Sequence, residues 1–299
     1  MEGKVLDIIT VNECNRRFGG QPLHPQASLI DLRNPDRIPG PVKFEFYAIL
    51  LIEECQDGCM CCGRRYYDFS RATMVFLKPG EIFRMSASDT LPQKGRLLAF
   101  HPDILSRKGL YSHIDDYTFF SYRKEEALHL SCTELATVEK CLSDIKEELR
   151  HDIDVHSSVL VSRLIELLLD YCNRFYDRQF VTREDKNRKI IREVDTILDG
   201  YIRSGRLAAG GFPDMAGIAA SVNLSGAYFA DLLKSETGKS YKEYCTLKQF
   251  AEARRMLVSS SVPVREIAES LGFGDERQFC VIFRKLVGKA PDEYRTTTA

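Results

Sequence analysis

From Val264 to Leu286 apolar residues recur at helical spacing, halt at a glycine, and resume at helical spacing. Ile267, Ala268 and Leu271 give the inward face of a first short helix over Val264–Ser270. Gly272 follows, a residue that enters left-handed backbone without a Cβ penalty, and Phe273 plugs the space under the turn. Asp275 suits the N-cap of a second helix that buries Phe279, Ile282, Phe283 and Leu286. Ala268 sits where two steeply crossing helices leave little room at closest approach. The spacing predicts a helix, a tight turn and a helix.

The same plan occurs once more upstream. Asp214 caps a helix holding Met215, Ile218 and Ala219; Val222-Asn223-Leu224 makes the turn; Ser225 caps a second helix through Tyr228, Phe229, Leu232 and Leu233. Asn223 replaces glycine as the side chain most tolerant of left-handed geometry. Between the copies, Tyr241–Val258 reads as one helix with Tyr244, Leu247, Phe250, Ala251, Ala253 and Leu257 on an apolar stripe. Eighteen residues rise about 27 Å. One duplex turn is about 34 Å, so two second helices carried on its ends match successive major-groove segments on one DNA face.

Ile267-Ala268, Gly272-Phe273, Phe279, Phe283-Arg284, Gly288, Pro291 and Tyr294-Arg295 stand at the spacing of the AraC/XylS signature, and residues 267–295 resemble that family. Asn223-Leu224-Ser225 and Lys234 to Lys239 resemble its first unit, so the likeness covers about 90 residues. The resemblance implies a bacterial-type transcription regulator that binds double-stranded DNA as a homodimer. It implies a small-molecule effector, and RNA polymerase as a partner if the protein activates. In the first recognition helix the positions facing bases correspond to Ala227, Ala230 and Asp231; none is a strong base-edge donor, and Asp231 repels phosphate. In the second they correspond to Glu276, Arg277, Cys280 and Val281. Arg277 is suited to bidentate bonding with guanine and Glu276 to accepting from cytosine. Lys234, Lys239, Arg284 and Lys285 are assigned to phosphates, which set position rather than sequence. Ser225, Tyr228 and Gln278 complete the expected DNA-contacting set. Gln249 departs from the family, which has arginine there.

The 299 residues suggest two domains, and 44% apolar with 28% charged side chains excludes wholesale disorder. The net charge of −1 conceals a division: from Lys186 onward there are 18 basic and 14 acidic residues. Residues 24–122 read as β-rich, with a strand over Phe44–Ile52, a turn at Gln56-Asp57-Gly58, a returning arm from Cys59 to Phe69, and strands at Ala72–Leu77 and Arg96–Phe100. Leu135, Val138, Leu142, Ile145 and Leu149 keep the seam spacing of a helix pair, a second helix spans about Val155–Tyr176, and a polar stretch from Tyr176 to Arg188 precedes a third helix. The expectation is an α+β chain: a cupin-like β-barrel with helices over 1–180, dimerising through 133–176, and an all-α double helix-turn-helix domain over 187–299.

No segment reaches the ~20 apolar residues of a membrane span, and Met1–Gln21 lacks a signal-peptide apolar block; a soluble, cytoplasmic protein with reduced thiols is expected. Cys55, Cys59, Cys61 and Cys62 are the one tempting metal or redox cluster, but they lack the paired knuckles of a zinc site. The six histidines are scattered and no nucleophile–base pair is evident, so no enzyme, metal or cofactor is expected. The competing reading is a ligand-binding cupin that does not bind DNA and whose helical tail contacts protein.

Overall fold

The computed structural model describes residues 5–32, 41–53, 72–84, 95–105 and 113–298. The chain divides into two compact units, Met1–Arg183 and Glu184–Ala299.

In the first unit the strands form two sheets. A small one orders β1 (Leu6–Ile8), β3 (Val42–Phe44) and β6 (Ile82–Phe83). The larger has order β2 (Ala27–Asp31), β7 (Gly95–Phe100), β4 (Tyr47–Glu53), β5 (Ala72–Leu77), β8 (Leu128–Leu130), every neighbouring pair antiparallel. Their shared core takes Ala48, Leu50 and Ile52 from β4, Val75 and Leu77 from β5, Phe44 and Phe83 from the small sheet, and Val11, Cys14 and Phe18 from α1 (Val11–Phe18). Phe18, Phe44 and Phe46 are fully buried, so large side chains fill the space between the sheets. Among the described residues the strands lie in two separate sheets and do not close into a barrel.

The apolar run Phe44–Ile52, expected as one strand, is two. The chain bends at Glu45-Phe46, and β3 and β4 enter different sheets. Burial of Phe46 at this corner keeps the sequence apolar through the bend and hides it. The expected returning arm Cys59–Phe69, its turn and the four clustered cysteines lie outside the described residues; the neighbours of β4 are β5 and β7.

The second face of the large sheet is covered as well. Phe76 of β5 lies 4.4 Å from Phe119 between ring centroids and 6.2 Å from Tyr176, and Tyr47 stacks on Phe100 at 5.3 Å. Two covered faces explain why β5 is buried at every residue and shows no polar alternation. Helix α2 (Cys132–Glu148) buries Val138, Leu142 and Ile145, and α3 (Ser157–Thr182) is its packing partner, so the seam spacing is satisfied within the chain.

The polar stretch expected after Tyr176 is helical: α3 continues to Thr182, and α4 (Glu184–Arg203) begins after Arg183. The physical reason is the open edge of β8. Gln179 accepts the His129 N–H at 2.8 Å and donates to the Ala127 carbonyl at 3.2 Å; Arg178 donates to the His129 carbonyl at 2.6 Å; the Tyr176 hydroxyl donates to the Glu126 carbonyl at 3.3 Å. Glu134 holds Arg178 in place through bonds of 3.0 and 2.8 Å. Side chains that read as a solvated connection are the hydrogen-bonding partners of a sheet edge.

The second unit is all helix: α4, α5 (Leu207–Gly210), α6 (Met215–Ser221), α7 (Gly226–Thr237), α8 (Tyr241–Ser259), α9 (Val264–Ser270), α10 (Glu276–Val287) and α11 (Pro291–Thr298). The coarse expectation of an α+β chain with sheets first and helices last holds.

Candidate nucleic-acid interface

Two helix pairs, α6–α7 and α9–α10, are closed by the same turn. The Asn223 N–H donates to the Ala220 carbonyl at 3.0 Å and the Leu224 N–H to Ala219 at 2.8 Å; Gly272 donates to Glu269 at 3.0 Å and Phe273 to Ala268 at 2.9 Å. These are paired Schellman bonds, and they require left-handed backbone at the residue after the helix. Asn223 has φ 57° and Gly272 φ 79°. Ala219 and Ala268 are both fully buried at the crossing. Asp214, Ser225 and Asp275 are the N-caps, accepting from the backbone N–H of Gly217, Tyr228 and Arg277.

Between the pairs α8 is a continuous helix of 19 residues, begun by a capping box in which Ser240 and Glu243 exchange bonds. At 1.5 Å per residue it is about 28 Å long. Phe250 of α8 stacks on Phe279 at 5.8 Å and touches Phe273 and Phe283, so α8 is welded into the second pair. Phe229 meets Tyr241 edge-on at 6.1 Å at its other end. Lys248 pairs with Asp195 at 2.7 Å and Asp199 at 3.2 Å, and the Tyr244 hydroxyl donates to Asp195 at 2.5 Å, which ties α8 to α4. Burial first, and then the Asp195 carboxylate, push the Tyr244 phenol up from its ordinary range.

Gln249, where the family has arginine, donates to the Leu271 carbonyl in the second turn. Arg295 donates to the Val262 carbonyl ahead of α9. Each positions the second pair from the α8 or α11 side. Leu207 of α5 is a positioning residue the sequence did not announce: its side chain is buried in the second pair's core, and its carbonyl lies against Gly272.

On α10 the expected contact residues Glu276, Arg277, Gln278, Val281, Arg284 and Lys285 are all exposed, while Phe279 and Phe283 point into the core. Arg277, Val281, Arg284 and Lys285 fall at i, i+4, i+7 and i+8, which places them on one face. Leu286, expected in the core, is 47% exposed and shares a cleft with Leu247, Lys239 and Lys242, because the last turn of α10 has run past the phenylalanine cluster. On α7 Lys234 is exposed, whereas Ala227, Ala230 and Asp231 are half-buried, as is Lys239 in the connection to α8. Two expected contacts require correction. Ser225 and Tyr228 are buried, and the Ser225 hydroxyl accepts the Tyr228 N–H as the helix cap, so neither offers a group to a duplex in this conformation.

Some cations of this unit are held by carboxylates. Away from these faces Arg188, Lys248, Arg255 and Arg265 are paired with carboxylates. Among the described residues Lys234, Lys239, Arg277, Arg284 and Lys285 have no carboxylate at ion-pair distance. Burial pushes up the thiols of Cys14, Cys141, Cys172, Cys245 and Cys280, which keeps them protonated and poorly reactive. Among the described residues no three metal-binding side chains converge, and no helix is long and apolar enough to cross a membrane.

A family profile described as a helix-turn-helix domain matches residues 218–297. The transcriptional regulatory protein YesN of Bacillus subtilis (strain 168) is 39% identical over 70 residues, 23% of this chain and 19% of that protein. The arabinose operon regulatory protein of Escherichia coli (strain K12) is 28% identical over 92 residues, 31% of each chain. The transcriptional activator RhaS of Yersinia pseudotuberculosis serotype I (strain IP32953) is 23% identical over 279 residues, 89% of this chain and 93% of that one. The chain spans less than a third of YesN and of the arabinose regulator. By sequence match over residues 218–297 the C-terminal unit carries a helix-turn-helix domain similar to that of these regulators, and its two paired turns joined by one continuous helix fit the AraC/XylS resemblance of its sequence.

Proposed function

We propose that the protein is a DNA-binding transcription regulator whose α7 and α10 enter successive major-groove segments of one duplex. The observation that carries this reading is the row Arg277, Arg284 and Lys285 on one exposed face of α10, none with a carboxylate at ion-pair distance among the described residues. A cation without an internal partner is available to phosphate, and each phosphate neutralised releases counterions and steepens the salt dependence of binding. Base readout rests on α10, where Arg277 offers a guanidinium to guanine O6 and N7 and Glu276 accepts from cytosine N4. Lys234, Lys239, Arg284 and Lys285 hold the backbone.

The expected result for Arg277→Ala is a loss of about 1–3 kcal/mol concentrated at one base pair, with relaxed preference there. Lys285→Ala is expected to weaken all sequences alike and to reduce the salt slope by about one. Titration of both variants on a selected duplex and on random duplex, at several salt concentrations, measures this; parental behaviour in both defeats the assignment.

The finer reading gives the first unit, residues 1–180, the role of a cupin-like sensing and dimerisation domain, and residues 187–299 that of the DNA-binding domain. The two sheets with one shared core support the former. In this reading a small-molecule effector acts at the first unit, and RNA polymerase is contacted where the protein activates. Homodimerisation is supported by α3, whose apolar residues continue on its outer side: Leu160 and Leu167 are 48% and 44% exposed, with Leu164 and Tyr171 half-buried, at the +4, +3, +4 spacing of a paired-helix seam. Leu160→Glu with Leu167→Glu is expected to convert a dimer to a monomer in sedimentation; a doubly substituted chain that sediments like the parent removes α3 as the interface.

A further inference from the structure

We propose that Val281 reads the 5-methyl group of a pyrimidine, thymine in unmodified DNA, at the centre of the α10 footprint. This rests on the DNA-binding reading and adds to it the chemistry of one base pair. Val281 is 69% exposed, the most exposed of the large apolar side chains of α10, with Leu286 next at 47%. A β-branched residue is a poor helix former, and here no core contact rewards it. Its neighbours on the same face are Arg277 one turn before, and Arg284 and Lys285 one turn after, all exposed and without a carboxylate partner among the described residues. The face therefore alternates cation, methyls, cation.

An acidic protein surface would match the cations but leave the valine facing charge. A major groove matches both. Phosphates flank it, base edges offer acceptors to the guanidinium, and its one apolar group is the thymine methyl. Ala227 and Ala230 on α7 are smaller and half-buried, and Asp231 sits beside them, so the corresponding face of the first pair lacks this alternation. The inference assigns Val281 as a specificity-determining residue of the second pair.

The test uses the full chain and a site obtained by selecting bound duplexes from a random pool. Each thymine of that site is replaced singly by deoxyuridine, which removes the methyl and leaves every hydrogen-bonding group. The expected result is one thymine whose replacement weakens the parent about fourfold, the value of one buried methyl group. For Val281→Ala the same replacement is expected to change affinity less than about twofold, because the two partners of one contact are coupled. The side chain lies off the core, so the variant folds as the parent does and its circular dichroism checks this. A parent indifferent to every replacement, or an undiminished methyl effect in Val281→Ala, overturns the proposal while DNA binding stands. Failure of the parent to select any duplex, or salt-independent binding, removes instead the reading beneath it.

Discussion

Gly272→Ala is expected to destabilise the C-terminal unit by about 3 kcal/mol and to abolish tight duplex binding at physiological temperature. Two costs add. The backbone there has φ 79°, where any side chain is strained. A Cβ would also stand 2.6 Å from the Leu207 carbonyl oxygen and 3.1 Å from its carbon, closer than non-bonded atoms approach. That carbonyl cannot simply withdraw, because it accepts the Gly211 N–H at 3.0 Å and its side chain is fixed beneath α9. A loss of this size lowers the melting temperature of a unit this small by on the order of 10 °C. Thermal unfolding followed by circular dichroism measures it. A variant melting within two or three degrees of the parent means the turn adopts another conformation than the one described.

Phe250→Ala is expected to cost about 3–5 kcal/mol, the range for removing a buried phenylalanine. Phe250 is 3% exposed and has three ring neighbours, Phe273, Phe279 and Phe283, at centroid distances of 5.4, 5.8 and 6.0 Å. One of these belongs to the turn and two to α10. Truncation therefore opens a cavity where α8, the turn and the recognition helix meet, and α10 loses the surface that fixes its pitch relative to α8. Phe250→Leu keeps most of the volume and is expected to cost less than about 1.5 kcal/mol. Chemical denaturation of both variants, compared with duplex affinity, distinguishes packing from readout: the alanine variant loses both together, whereas Arg277→Ala loses affinity and keeps stability. An alanine variant with parental stability contradicts the ring cluster as the joint.

The helical half was the more legible because its signals are local. The Asp214, Ser225 and Asp275 caps, the left-handed residues Asn223 and Gly272, and the span Val264–Ser270 follow from residue chemistry within one turn of each other, and the structure has them at those positions. Strand β5 likewise has the expected bounds. What escaped depended on partners distant in sequence. Phe46 is apolar because a corner buries it, and nothing nearby reveals that β3 and β4 part company there. Gln179 and Arg178 read as solvent-facing until the main chain of residues 127–129 is set beside them. Tyr228 lies in the buried stripe of α7 with Phe229, Leu232 and Leu233, as the apolar spacing has it, and only the family resemblance sets it among the DNA contacts. The importance of Leu207 is visible only from the other side of its contact, as the reason a glycine is needed at 272.

The bonds from Tyr176, Arg178 and Gln179 to residues 126–129 have a consequence for solution behaviour. A terminal strand with free amides and carbonyls is a template on which a second molecule can add a strand of its own. Here a helix supplies the missing donors and acceptors from its side chains, so that rim of the sheet is closed to recruitment by other chains. A lesion at Gln179 would therefore show itself less as lost activity than as clumping on concentration or mild heating, with the protein's own apolar strands as the adhesive.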